Sequence, residues 1–82
     1  MVKVIYDKEF KKKISKINDT KLRNKIIIQI IKIKDNPLIG KPLRYSRKNT
    51  REVYVKPYRL SYKYLNKEDK LLLLDIYHKD KQ

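Results

Sequence analysis

The last third of the chain constrains its fold most, because three consecutive runs there have the composition of β-strands. Residues 51–56, 58–65 and 70–78 are rich in valine, leucine, isoleucine and tyrosine. A tight connection at Pro57 separates the first two runs, and a polar turn at residues 66–69 separates the second from the third. Connections this short join neighbouring antiparallel strands, so the sequence predicts a three-stranded meander.

The first half of the chain predicts a short strand and two helices. Residues 2–6 alternate between two faces and end at Asp7, a good helix N-cap. Helical spacing then appears twice, in Phe10, Ile14 and Ile17 and, after a break at Asn18-Asp19-Thr20, in Leu22, Ile26, Ile27, Ile30, Ile31 and Ile33. Pro37 disfavours a helix in the residue before it, so the second helix should end near Lys34. Residues 37–49 predict a basic loop.

These elements predict an α+β fold. The two helices should pack on one face of a mostly antiparallel four-stranded sheet that includes the short N-terminal strand. A chain of 82 residues is too small for two hydrophobic cores, so we expect a single domain over residues 1–82.

The charge of the chain points to an acidic partner. Lys and Arg number 23 against nine Asp and Glu, which gives a net charge of +14. Packing so much like charge into a compact body adds self-repulsion that a polyanion or an acidic protein would relieve. A lysine-rich proteome is the alternative explanation, yet such a bias would raise glutamate together with lysine. The imbalance therefore favours binding to a polyanion, and RNA is the leading candidate.

The residue types that are missing exclude several classes of function. The chain has no cysteine and therefore no disulfide or thiolate metal site. Its only glycine, Gly40, cannot form a glycine-rich loop that cradles a nucleotide. The apolar runs are far below membrane-spanning length, and the N-terminal run is too short for a signal peptide. We expect a soluble cytoplasmic protein with no metal, no cofactor and no membrane partner.

Strand alternation divides the predicted sheet into a face toward the helices and an outward face. The outward set comprises Glu52, Tyr54 and Lys56 on the first strand of the meander and Arg59, Ser61 and Lys63 on the second. Tyr54 and Tyr77 would place aromatic rings near cations, an arrangement that suits single-stranded RNA. The alternative is that these tyrosines are ordinary half-buried strand residues.

The four leucines of the last strand leave its orientation open. Leu72, Leu74 and Ile76 can take the core side, which puts Leu71 and Leu73 on the outward face. Leucines exposed in this way form an apolar patch that a partner segment would cover.

The order of strand, two helices, basic loop and three strands resembles the RelE toxins of the RelE/ParE superfamily. The resemblance rests on Gly40-Lys41-Pro42-Leu43 before the sheet, Tyr58-Arg59-Leu60-Ser61-Tyr62 in its middle and Tyr77-His78-Lys79-Asp80 at its end. It covers nearly the whole chain. Glu52 and Tyr54 depart from the RelE pattern, since some relatives place lysines at these positions.

The resemblance implies a type II toxin that cuts mRNA in the ribosomal A site. It also implies a cognate acidic, RelB-like antitoxin that neutralises the toxin in a hetero-oligomer. The ParE branch of the superfamily poisons DNA gyrase instead, and a plain RNA-binding or ribosome-binding module would need no chemistry at all. A ribosome-dependent endoribonuclease is our leading prediction, with the gyrase inhibitor and the non-catalytic module as alternatives.

Metal-independent RNA cleavage needs a proton acceptor, a proton donor and cations for the phosphate, because the substrate's own 2′-hydroxyl is the nucleophile. His78 is the only histidine and the best candidate for proton transfer, although a solvated histidine is the alternative. Arg59 matches the arginine of the family's middle-strand motif, and its guanidinium can bind two phosphate oxygens. Lys79 would supply a second cation, and Tyr77 on the same strand end is the fourth predicted catalytic residue. We predict RNA contacts at Arg51, Tyr54, Arg44, Arg47, Lys48 and Lys81 and antitoxin contacts at Leu71 and Leu73.

Overall fold

The computed structural model describes residues 2–43 and 50–78, which form two α-helices and five β-strands. In chain order these are β1 Lys3–Tyr6, α1 Lys8–Ser15, α2 Thr20–Asp35, β2 Lys41–Pro42, β3 Thr50–Val55, β4 Tyr58–Leu65 and β5 Lys70–His78. A single 3₁₀ turn at Asn66–Glu68 joins the last two strands. No helix in the described part of the chain is long and apolar enough to cross a lipid bilayer.

The helices begin and end where local chemistry favours it. The Asp19 carboxylate accepts hydrogen bonds from the backbone N–H groups of Lys21 and Leu22, at 3.0 and 3.2 Å, and so caps α2. The helix ends at Asp35, with Asn36 as the extended C-cap before Pro37. Asp7 precedes α1 in an extended conformation, but its side chain makes no capping hydrogen bond.

The strands form one mixed sheet in the order β1-β5-β4-β3-β2. β1 lies parallel to β5, and the other neighbours are antiparallel. The predicted α+β fold is confirmed, with one strand more than expected. The additional strand, β2, lies in the segment predicted to be a loop and pairs Lys41 with Glu52 and Pro42 with Arg51. Two residues, one of them proline, carry no strand periodicity that a sequence reading could detect.

The hydrophobic core lies between the sheet and the two helices. The fully or almost fully buried side chains are Phe10, Ile17, Ile26, Ile33, Val55, Leu60, Tyr62, Leu71, Leu73 and Ile76. We call the side of the sheet that carries Leu60, Tyr62 and Ile76 the helix-bearing face. The opposite side, which carries Glu52, Tyr54, Arg59, Ser61 and Tyr77, is the open face.

The prediction that Leu71 and Leu73 lie on the outward face of the last strand is wrong. Leu71 and Leu73 are 0% exposed, so they do not form a patch on the open face. The cause is a register shift between β4 and β5, in which Ser61 pairs with Asp75 but Tyr62 pairs with Leu73. The extra residue, Leu74, shifts the alternation, so Leu71 and Leu73 share the core with Ile76. The reason for assigning these two leucines to antitoxin binding is therefore lost.

Candidate active site on the open face of the sheet

A row of three side chains crosses the open face at the end of the meander. Tyr54 on β3 pairs with Arg59 on β4, and Arg59 pairs with Tyr77 on β5. Residues directly opposite each other on neighbouring strands project to the same face. Glu52, two residues before Tyr54, projects to this face as well.

The Glu52 carboxylate joins this row into a cluster. Its Oε1 lies 3.4 Å from Arg59 Nη1, and its Oε2 accepts a hydrogen bond from the Tyr77 hydroxyl at 2.8 Å. The Glu52 side chain is 15% exposed and that of Arg59 33%, so the carboxylate lies deeper than the guanidinium. We call Glu52, Arg59 and Tyr77 the open-face cluster.

Glu52 was missed as a functional residue by the sequence reading, which treated it only as a departure from a family pattern. The signal was present, because alternation had already placed Glu52 and Arg59 on the same outward face. A carboxylate that is held by an arginine in a chain of net charge +14 is a candidate for chemistry.

Tyr77 remains a proton donor over the whole physiological range. Burial is the main reason that its pKa is raised to about 12, and the hydrogen bond to Glu52 and the charge of that carboxylate raise it further. The neighbouring Arg59 guanidinium offsets part of this increase. The phenol is therefore protonated when it holds the carboxylate of Glu52.

His78 is not part of the open-face cluster. It pairs with Tyr58, and the two rings make an edge contact at a centroid distance of 5.5 Å and an interplanar angle of 76°. Because Ile76, two residues earlier, is in the core, alternation puts His78 on the helix-bearing face. Tyr77 and not His78 lies opposite Arg59, so a proton-transfer role of His78 beside Arg59 is not supported.

Arg51 also projects away from the open face. It pairs with the buried Tyr62, and its Nη1 donates to the carbonyl oxygens of Leu38 and Gly40 at 3.2 and 2.7 Å. The expected contribution of Arg51 beside Arg59 is therefore not supported, because its guanidinium holds the segment before β2.

The remaining predicted site residues divide into two groups. Tyr54 lies on the open face with its side chain 47% exposed, as a stacking surface requires. Arg44, Arg47, Lys48, Lys79 and Lys81 lie outside the described residues.

The open-face cluster combines a proton acceptor, a cation with several donors and a protonated phenol. A carboxylate has about four acceptor positions, so Glu52 can bind a further hydroxyl while it holds Arg59 and Tyr77. Within residues 2–43 and 50–78, histidine and acidic side chains form no group that could hold a metal ion.

The fold is shared with solved toxin structures. A chain of the intact Escherichia coli RelBE toxin-antitoxin complex aligns with a TM-score of 0.83 at 16% identity, covering 95% of this chain and 96% of that one. The Mycobacterium tuberculosis RelBE2 toxin-antitoxin complex gives 0.81 at 20% identity, with 95% and 98% covered. A metal-bound toxin from Helicobacter pylori gives 0.70 at 25% identity, with 98% and 97% covered.

The architecture is thus that of the RelE-like toxins. The sequence family agrees, since a model described as the ParE toxin of the type II toxin-antitoxin system parDE matches residues 4–82. The chain belongs to this family, within the RelE/ParE superfamily of type II toxins. No curated protein matches it in sequence.

Proposed function

We propose that this toxin is a ribosome-dependent endoribonuclease that cleaves mRNA without a metal ion. The observation that carries the proposal is the open-face cluster, in which one carboxylate contacts a guanidinium at 3.4 Å and a phenol at 2.8 Å. These three groups supply the proton acceptor, the cation and the proton donor that attack by a 2′-hydroxyl requires.

In the proposed reaction Glu52 accepts the proton of the substrate 2′-hydroxyl as its oxygen attacks the adjacent phosphorus. A 2′-oxygen–phosphorus bond forms and the bond from phosphorus to the 5′-oxygen breaks. The products are a 2′,3′-cyclic phosphate and a 5′-hydroxyl. General base catalysis of this kind contributes about 10²–10⁴-fold to the rate.

Arg59 binds the phosphate on which negative charge develops. Its planar guanidinium has five donors, so it can keep contact with Glu52 and still donate to phosphate oxygens. Electrostatic stabilisation by one well-placed donor is worth about 10²–10³-fold.

Tyr77 supplies the proton that the leaving 5′-oxygen needs. Its hydroxyl gives a proton to the departing 5′-oxygen and takes one from the newly protonated Glu52 through the 2.8 Å hydrogen bond. Because the pKa of Tyr77 is raised to about 12, the phenol carries the needed proton at physiological pH. His78 lies on the other face of the sheet and has no part in this transfer.

The partners follow from charge and from the relatives. The net charge of +14 favours binding to the ribosome and to mRNA in the cytoplasm. It also favours an acidic, RelB-like antitoxin, and the two RelBE structures that share this fold are toxin-antitoxin complexes. Lys79, Lys81, Arg44, Arg47 and Lys48 remain predicted RNA contacts.

The test is to add the purified protein to translating ribosomes and to map the mRNA ends. We expect cuts at the A-site codon and a rate lowered about 10²–10⁴-fold by Glu52→Gln. Glu68→Gln is the matched control, since it makes the same change at an exposed turn residue. His78→Gln should stay close to wild type. The absence of cuts, or equal activity of the two glutamate variants, would refute the proposal.

A gyrase inhibitor without nuclease chemistry is the second candidate, and the match to the ParE family over residues 4–82 favours it. It predicts DNA damage and filamentation of cells in which mRNA stays intact. Glu52→Gln would then leave toxicity unchanged, since no proton transfer is needed.

A further inference from the structure

We propose that a depression beside the open-face cluster binds one nucleotide of single-stranded RNA, with Lys41 as its phosphate ligand and Tyr54 as its stacking surface. The inference rests on the proposed function and extends it to a subsite that neither the family resemblance nor charge alone assigns. Lys41 belongs to β2, the strand that the sequence did not predict.

The depression has a volume of about 370 Å³, within the range of small-molecule sites. Its walls come from Lys41, Glu52, Val53, Tyr54 and Arg59. Two cations, a half-exposed aromatic ring and the carboxylate of the cluster therefore surround one space.

Lys41 is placed beside the cluster by strand pairing. It is the cross-strand partner of Glu52, so the two side chains share a face. Within the described residues, Lys41 is exposed and has no ion-pair partner. Its ammonium group is thus available to a phosphate, unlike the guanidinium of Arg51.

A buried set of hydrogen bonds fixes the position of β2 and hence of Lys41. The Tyr62 hydroxyl accepts from the Gly40 N–H at 2.8 Å and donates to the Pro37 carbonyl at 2.7 Å. Arg51 donates to the Gly40 carbonyl at 2.7 Å from the neighbouring strand. The residue immediately before Lys41 is therefore held on both sides, which pre-organises the subsite.

The order of residues across the sheet sets the position of the nucleotide. Arg59 lies between Tyr54 and Tyr77, since it pairs with both. The phosphate bound by Arg59 can therefore have two roles. On the Tyr77 side it is the phosphate attacked in the cleavage step, and on the Tyr54 side it is one end of the nucleotide in the subsite. The bound nucleotide is then a neighbour of the cleaved bond, with its base on the Tyr54 ring and its other phosphate at Lys41.

RNA suits this space better than a protein segment. The ring of Tyr54 on β3 offers a flat surface that stacks with any base. The two cations, Lys41 on β2 and Arg59 on β4, lie on the strands to either side of it, where they can bind the phosphates on both sides of one nucleotide. An acidic peptide could bind the two cations, but its carboxylates would not stack on the Tyr54 ring.

The experiment measures binding of a 2′-O-methylated RNA oligonucleotide, which cannot be cleaved, to the wild-type protein. We expect Tyr54→Leu to weaken binding by about tenfold through the loss of one stacked base. Lys41→Ala should reduce the slope of log K against log salt by about 0.7, the effect of one lost phosphate contact on a single strand. Thermal unfolding of each variant checks that the fold is retained.

Lys67→Ala is the matched control, because it removes the same charge at the turn between β4 and β5. An equal change in slope for Lys41→Ala and Lys67→Ala would overturn the proposal, as would unchanged affinity in Tyr54→Leu. Binding of an acidic peptide that is stronger than that of RNA and depends on Lys41 would overturn it as well.

The proposal of the subsite and the proposal of the nuclease can be refuted separately. A protein that binds RNA through Lys41 and Tyr54 but leaves mRNA intact on ribosomes would refute only the nuclease. A protein that cuts mRNA with the same KM in wild type, Lys41→Ala and Tyr54→Leu would refute only the subsite.

Discussion

Each face of the sheet carries an arginine opposite a tyrosine of the neighbouring strand, and the Arg51–Tyr62 and Arg59–Tyr77 pairs differ in what surrounds them. Arg51 and Tyr62 lie opposite each other on the helix-bearing face, where their polar atoms bond to backbone groups of residues 37–40. Arg59 and Tyr77 lie opposite each other on the open face, where both contact the Glu52 carboxylate. The same residue types thus stabilise a loop on one face and form a candidate active site on the other.

The pKa values of the tyrosines express the same difference. Burial raises the pKa of both, but the Gly40 hydrogen bond and the Arg51 charge lower that of Tyr62, whereas the Glu52 carboxylate raises that of Tyr77 further. The backbone carbonyls that bind Arg51 are fixed in the fold. The Glu52 carboxylate that binds Arg59 is a side chain on the open face, where a ligand can reach it. The partner, and not the residue type, therefore separates the structural pair from the candidate catalytic pair.

The largest expected effect comes from removing each arginine in turn. Arg59→Ala should lower mRNA cleavage about 10²–10³-fold, because a phosphate donor is lost. Its effect on the free energy of unfolding should stay within about 1 kcal/mol, the usual value of a partly exposed ion pair. Arg51→Ala should show the reverse, with a loss of about 1–3 kcal/mol from the unpaired carbonyl of the buried Gly40 and little loss of kcat. Cleavage assays on ribosomes and urea unfolding of both variants measure these opposite effects on activity and stability.

Gly40→Ala should come next, and it acts directly on the helix-bearing pair. A Cβ at Gly40 would lie 2.7 Å from Tyr62 Cε1 and closer still to the hydroxyl oxygen, and Tyr62 is fully buried and cannot move away. Overpacking of this kind costs about 1–3 kcal/mol. Asn24→Ala, at an exposed position of α2, is the control in the same unfolding experiment. Equal stability of the two variants would mean that residues 37–40 can shift freely.

The sequence could predict the elements of this fold because their periodicity is strong. Both helices and the three strands of the meander appear within about two residues of their expected bounds. It could not predict the phase of β5, since a run of four leucines fits either face and no residue marks the bulge at Leu74. That single extra residue reversed the assignment of Leu71 and Leu73.

The site was only half predictable for a related reason. Alternation gave the common face of Glu52, Tyr54 and Arg59 correctly, because β3 and β4 pair without irregularity. Which residue of β5 lies opposite Arg59 depends on the register beyond the bulge. The expected place of Tyr77 on the outward face agrees with this register, whereas His78, singled out as the only histidine, lies on the other face.

A smaller effect should distinguish the two tyrosines. Tyr62→Phe leaves the buried Gly40 N–H without its acceptor and should destabilise the protein by about 1–3 kcal/mol. Tyr77→Phe should cost about 1 kcal/mol, since Glu52 keeps Arg59 and water can replace the phenol, but it should lower cleavage. Unfolding and cleavage measured on both variants would contradict this comparison if Tyr77→Phe were the less stable of the two.

The smallest expected effect is the pH dependence that Tyr77 adds to stability. Its pKa is raised from 10.0 to about 12 in the folded protein, so between these values the folded chain keeps a proton that the unfolded chain has lost. The contribution is therefore complete below pH 10 and disappears as the pH rises toward 12. The free energy of unfolding should fall more steeply over this window in the wild type than in Tyr77→Phe. All other groups are common to both proteins and cancel in the difference, so parallel curves would mean that burial and the Glu52 carboxylate do not raise the pKa of Tyr77 in solution.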